Sequence, residues 1–157
     1  MPNAILRETY EWASIWLDHA DDLSTARVLL IGDSISCGYT NPVTKRLEGV
    51  ARVDRLGTSR SVTDPALFKE IIYVLGECRY RAIHFNNGLH GVHISDEDYG
   101  ASLRQCVRLL RQYGQGARLV WASSTPVTVE GYPAALEAEK NAQVLRRNEV
   151  AAGLMPL

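Results

Sequence analysis

Two stretches of the chain place polar side chains where apolar runs stop. In Leu29-Leu30-Ile31-Gly32-Asp33-Ser34-Ile35-Ser36 the run ends at a glycine and delivers Asp33 and then Ser34. As an isolated triplet, Gly-Asp-Ser reads first as a turn in which Asp33 or Ser34 caps a following helix. The sharper chemistry is a nucleophile held where a strand becomes a helix, its hydroxyl facing a crevice and helix-start amides aimed at developing negative charge. The second stretch, Arg81 to Asn86, closes on an amide that would be costly to bury unpaired, so Asn86 needs partners or a task. Acyl transfer needs such donors around the oxyanion, each worth about 100- to 1000-fold in rate.

The elements expected to position these groups alternate. Ile5, Leu6, Trp12, Ile15 and Trp16 recur at helical spacing and predict an amphipathic helix from residue 3 to about 19 within an N-terminal segment (1–22) laid on the core, with both tryptophans assigned to packing. Residues 26–31 form a continuous apolar run, as in a strand covered on both faces. A helical patch around 42–48 and a weaker strand at 49–56 follow. Thr63 and Asp64 ahead of Pro65 mark a helix start with proline first, running to about Gly76. A third strand is expected at 81–86, and a helix opened by Ser95 through Asp98 carries Leu103, Val107 and Leu110. A fourth strand at 117–123 precedes a last helix from about Ala134 toward Met155.

Strands separated by helices imply right-handed βαβ units and a parallel sheet whose ligands bind at the carboxyl ends of the strands. Those ends are Gly32-Asp33-Ser34, Leu56-Gly57-Thr58-Ser59, Asn86-Asn87-Gly88 and Ser123-Ser124-Thr125, all small or polar. The 157 residues suffice for one domain, and no linker or repeat divides them.

Seventeen basic against eighteen acidic side chains, a net charge of −1, argue against a nucleic-acid footprint, and Arg146-Arg147 is read as a solvated helix face. No apolar run approaches the roughly 18 residues of a membrane span, and the charged start suits a cytoplasmic protein. Cys37, Cys78 and Cys106 are widely spaced and fit reduced thiols, Cys37 as a small buried filler rather than a nucleophile. His90 and His93 have a His-x-x-His spacing without a third zinc ligand, so no metal is expected. His84, inside an apolar strand, reads as a satisfied core histidine, and His19 as a surface residue. A dinucleotide-binding domain is disfavoured because the first strand–helix turn lacks Gly-x-Gly-x-x-Gly.

With these blocks in order, the chain resembles the SGNH, or GDSL, hydrolases. "IGDSIS" is similar to their first block and implies Ser34 as nucleophile and, through its own amide, as one oxyanion donor. "HFNNGLHG" resembles their third block, Gly-x-Asn-Asp. Asn86 matches the oxyanion asparagine, Asn87 stands in place of the aspartate, and His84 replaces the glycine. In "DRLGTSRSV" Gly57 is assigned as the second oxyanion amide, with the amide of Ser59 or Arg60 as the alternative. The resemblance implies a structural, bracing role for Asp33, and Asp33, Asn87 and His90 complete the expected pocket.

The implied fold is a three-layer α/β/α sandwich on a parallel sheet, flavodoxin-like, lacking its last strand and C-terminal catalytic loop. The family's Asp-x-x-His block, which supplies the base, is absent: none of His19, His84, His90 and His93 has an aspartate three residues earlier. The preferred explanation is that the pair lies beyond Leu157, because a sheet stopping at its fourth strand leaves an apolar edge. The alternative is an inactive chain or a substitute base, for which His90 is the candidate. The expected activity is hydrolysis of a small-molecule ester, with a small acyl group on a carbohydrate preferred, and no cofactor. The rival is a non-catalytic binding module of the same fold.

Overall fold

The computed structural model describes residue 5 and residues 7–155. Four strands run parallel: β2 (Arg27–Gly32), β3 (Arg52–Thr58), β4 (Ala82–Phe85) and β5 (Arg118–Trp121). A fifth strand, β1 (Ala13–Trp16), joins antiparallel outside β3, giving the spatial order β1-β3-β2-β4-β5. The crossovers are α1 (Ser34–Arg46), α2 (Pro65–Glu77) and α3 (Asp96–Tyr113). After β5 come a small hairpin, β6 (Thr128–Val129) with β7 (Tyr132–Leu136), and α4 (Ala138–Leu154).

Each helix starts where a side chain takes an otherwise orphaned amide. Asp33 accepts from the amide of Ile35 at 2.9 Å, Asp64 from Ala66 at 2.9 Å, and Ser95 from Asp98 at 3.0 Å. Pro65 opens α2, as its missing N–H permits.

The two faces of the sheet are covered unequally. Leu29, Ile31, Leu56, Ile83 and Phe85 point one way, into a core shared with Leu67 and Ile71 of α2, Leu103 and Leu110 of α3 and Ala151 of α4. Each such side chain contributes about 1.5–3 kcal/mol by leaving water. The other face carries α1, whose buried residues are Ser36 and Thr40. The result is an α/β fold with a mostly parallel sheet and helices on both faces. No helix among the described residues is long and apolar enough to cross a membrane.

A buried ion pair ties the amino-terminal ends of β2 and β3. The Arg27 guanidinium donates to both carboxylate oxygens of Asp54 at 2.9 and 3.0 Å, and to the carbonyls of Asp18, His19 and Asp22. The Tyr80 hydroxyl donates to the same carboxylate at 2.9 Å. With these partners the buried charges are compensated.

Several sequence expectations change. The N-terminal helix is not formed between residues 7 and 19; Ala13–Trp16 is a strand, and positions 1–4 and 6 lie outside the described residues. The open edge of β3 supplies ladder partners, pairing Ile15 with Leu56 and Trp16 with Arg55, and tertiary pairing overrides the helical spacing. Trp16 is 60% exposed rather than packed. The patch at 42–48 belongs to a helix that begins at Ser34 and contains Pro42. The last helix begins at Ala138 because Tyr132–Leu136 pairs within the hairpin. Arg147 is fully buried, whereas Arg146 is exposed and paired with Asp96.

Asp64 supplies a stability test. Burial raises its pKa, but hydrogen bonds from Arg7, the Ala66 amide and Arg60 outweigh that and leave it below the ordinary carboxylate value. A lowered folded-state pKa means that the stabilisation is complete above about pH 4 and is lost as pH falls through the folded value. Asp64→Asn is expected to lower the urea midpoint at pH 7 and to flatten the loss of stability between about pH 4 and 2. An unchanged midpoint at pH 7 would exclude this role.

Candidate active site

The register of the sheet brings the expected groups to one edge. Gly32 lies beside Gly57, and the Asn86 amide donates to the Ile31 carbonyl at 3.0 Å. The carboxyl ends of β3, β2 and β4 therefore present Gly57, Gly32 and Asn86 side by side. Ser34 follows directly after the Asp33 cap, exposed on the first turn of α1. This turn is possible because Gly32 has no side chain: a Cβ there would overlap the Ser36 hydroxyl. A Cβ at Gly57 would likewise overlap the Cys37 sulfur.

Asp33 serves as the cap of α1, consistent with a bracing role. Asn87 ties two loops together, accepting from the Val62 amide at 3.1 Å and donating to the Arg60 carbonyl at 2.8 Å. Asn86 is 7% exposed and its amide group is engaged, donating at 2.6 Å to the Ala122 carbonyl and at 3.2 Å to the Ser124 hydroxyl. The loop amides considered as oxyanion donors are occupied too. Gly57 lies inside β3 with strands on both sides, the Ser59 amide donates to the Trp12 carbonyl at 3.1 Å, and the Arg60 amide to the Thr58 hydroxyl at 3.2 Å.

Beside this edge, between α1 and the ends of β4 and β5, is a cavity of about 200 Å³. Ser36, Tyr39, His84, Asn86 and Ser124 supply polar walls, and Ile35 and Leu89 apolar ones. His84 is not the satisfied core residue expected. Its Nε2 lies 3.4 Å from the Tyr39 hydroxyl, which reaches Ser36 at 3.0 Å, and its Nδ1 is buried with no partner among the described residues. Burial lowers its pKa below the ordinary histidine value, so the ring is held neutral.

No histidine is hydrogen-bonded to Ser34 among the described residues. His90 instead pairs through Nδ1 with both Glu8 carboxylate oxygens at 3.1 Å, and it does not line the cavity. His93 is exposed, and His19 bonds Asp18 at 2.9 Å. Among the described residues, no group of three or more His, Cys, Asp or Glu side chains could hold a metal ion. Cys37 is half-buried and, like Cys78 and Cys106, free.

Sequence reasoning missed what holds the loop after Asn86. The Arg147 guanidinium of α4 donates to the carbonyls of Gly88, His90 and Gly91 at 3.1, 2.8 and 2.6 Å and lies 4.8 Å over the Tyr99 ring. Tyr99 in turn donates to the Asn87 carbonyl at 2.6 Å. A guanidinium has the donors to satisfy three carbonyls at once, which a second core aliphatic could not do. Nothing local in the sequence distinguishes Arg147 from Arg146. Neither a protein-family model nor a curated protein matches the chain.

Two outcomes test this geometry. Because both Asn86 donors are used, Asn86→Ala is expected to cost about 1–3 kcal/mol in urea unfolding, whereas a free donor could be removed without loss. His84 contributes stability above about pH 6.5, where the unfolded ring is neutral too, and that contribution falls as pH drops and only the unfolded ring takes a proton. Its imidazole resonances are expected to titrate below the ordinary histidine value of about 6.5; a midpoint at or above that value would contradict the burial.

Proposed function

We propose that the chain carries the nucleophile and the carbonyl-cradling part of an SGNH-type ester hydrolase, on the flavodoxin-like three-layer scaffold of that family. The observation that supports this reading is the alignment of Gly57, Gly32 and Asn86 along one sheet edge with Ser34 on the adjoining helix turn. Ser34 Oγ attacks the carbonyl carbon of a small ester and the carbonyl electrons move onto oxygen. Collapse expels the alcohol, which takes up a proton, and water releases the acid from the acyl-serine. The Ser34 amide and the Asn86 side chain are the oxyanion donors, with the Gly57 amide, or that of Ser59 or Arg60, in the second-block role. The substrate favoured is an ester of a short acyl group on a carbohydrate; the small cavity beside the edge is lined by Asn86 and by Ile35, the residue after Ser34, but not by Ser34 itself.

Serine needs a base to take its proton, and no described histidine is bonded to Ser34. Imidazole in solution is therefore the direct substitute. Wild-type protein is expected to hydrolyse p-nitrophenyl acetate with an imidazole-dependent rate at least about tenfold above that of Ser34→Ala, a fraction of the 10²- to 10⁴-fold that a positioned base supplies. Equal rates would reject the reading. A second reading, a non-catalytic small-molecule pocket, has one observation in its favour: the Asn86 donors and the amides of Ser59 and Arg60 already have partners.

A further inference from the structure

A second concave surface lies away from the carboxyl edge, on the face of the sheet that α1 covers. Trp16 of β1 and Arg55 of β3 are directly opposed across the antiparallel ladder. Trp16 is largely exposed. The Arg55 guanidinium is half-buried. It donates to the Ser14 hydroxyl at 3.2 Å, its Nε is buried without a partner, and it forms no ion pair among the described residues. The Nε atoms of Arg27, Arg52 and Arg147 are likewise buried without a partner, but Arg27 has the Asp54 carboxylate, Arg52 the Asp22 carboxylate and Arg147 three carbonyls, whereas Arg55 has only the Ser14 hydroxyl.

Across from this pair stand Thr40, Asn41 and Thr44 of α1, with Val53 between them, enclosing about 370 Å³. The space continues past Asn41 and Thr44 into an open depression of about 620 Å³ flanked by the basic Lys45 and Arg52 and the acidic Asp18 and Glu48. The hydroxyls of Thr40 and Thr44 donate to helix carbonyls at 2.8 and 3.0 Å, so toward the cavity they can only accept. Asp18 also borders the cavity, but its carboxylate is engaged by His19 at 2.9 Å and Arg52 at 4.0 Å.

We propose that this groove binds a sugar-sized ligand carrying an acidic group, its ring face on Trp16 and its carboxylate or phosphate on Arg55. A half-buried guanidinium without a counter-charge is free to take one, and its fork of donors matches a carboxylate or phosphate in two parallel bonds. An exposed indole offers an apolar plate to the C–H face of a ring. Asn41 supplies an amide, and the two threonines acceptors, for ring hydroxyls. The site uses none of the groups assigned to ester hydrolysis and does not depend on that reading.

The Trp16 indole N–H resonance, followed during titration with glucuronate, glucose 6-phosphate, glucose and inorganic phosphate, tests the assignment. Both acidic sugars are expected to shift it, with affinities at least about tenfold above those of glucose and of phosphate alone. Arg55→Gln is expected to weaken the acidic sugars by about tenfold or more, and Arg55→Lys by less. Trp16→Ala, at an exposed position that does not threaten folding, is expected to abolish their binding heat in calorimetry. Glucose binding as tightly as glucuronate would overturn the acidic requirement. Phosphate alone binding as tightly as glucose 6-phosphate would overturn the sugar. No shift with either acidic sugar, or unchanged binding in Trp16→Ala, would overturn the site.

Discussion

Close contact between α1 and the ends of β2 and β3 is the constraint on which the candidate site depends. Gly32 and Gly57 are neighbours in register, and a Cβ at either would occupy space held by Ser36 or Cys37. Without side chains there, the helix settles directly on the strands and must begin as soon as β2 ends. Asp33 is then the only residue between strand and helix, and it caps the helix. Ser34 is left on the first turn at the carboxyl edge, where helix-start amides and the ends of three parallel strands meet. A bulkier residue at either glycine would lift α1 and move that turn.

The loops of this edge are held by polar side chains from distant parts of the chain rather than by apolar packing. Asn87 joins the loop after β3 to the loop after β4, and Arg147 fastens the latter to α4. The segment ahead of β1 crosses the same loops: Arg7 pairs with Asp64, Glu8 takes the Gly91 amide, and the Ser59 hydroxyl donates to Glu11. Asn148 of α4 holds both backbone groups of Ser124. Each bond contributes only about 0.5–1.5 kcal/mol net, but their number fixes the edge in one arrangement. The same saturation leaves few donors unpaired, so any oxyanion would have to compete with partners already in place.

Unequal covering of the sheet explains where the second groove arises. Three helices bury one face, while α1 alone lies on the other and reaches mainly β2 and β3. Toward β5, Val120 remains 41% exposed, and toward β1, Trp16 and Arg55 border open space. A sheet face left half-covered is where concave surfaces with mixed walls form.

What the amino-acid order determined by itself is local. The βαβ alternation, the continuous apolar run of β2, the caps at Asp64 and Ser95 and the proline opening α2 all follow from propensities and spacings within a few residues. So does the arrival of Ser34 and Asn86 at strand ends, and a parallel sheet then brings those ends to one edge. Tertiary structure alone decided which of two possible structures Ala13–Trp16 adopted, because an open strand edge distant in the chain supplied the hydrogen bonds. It also decided that Arg147 is buried while Arg146 is solvated, and that Asn86 spends its donors on Ala122 and Ser124. Such choices depend on which backbone groups are left unsatisfied after folding, and that inventory exists only once residues far apart in the chain have met.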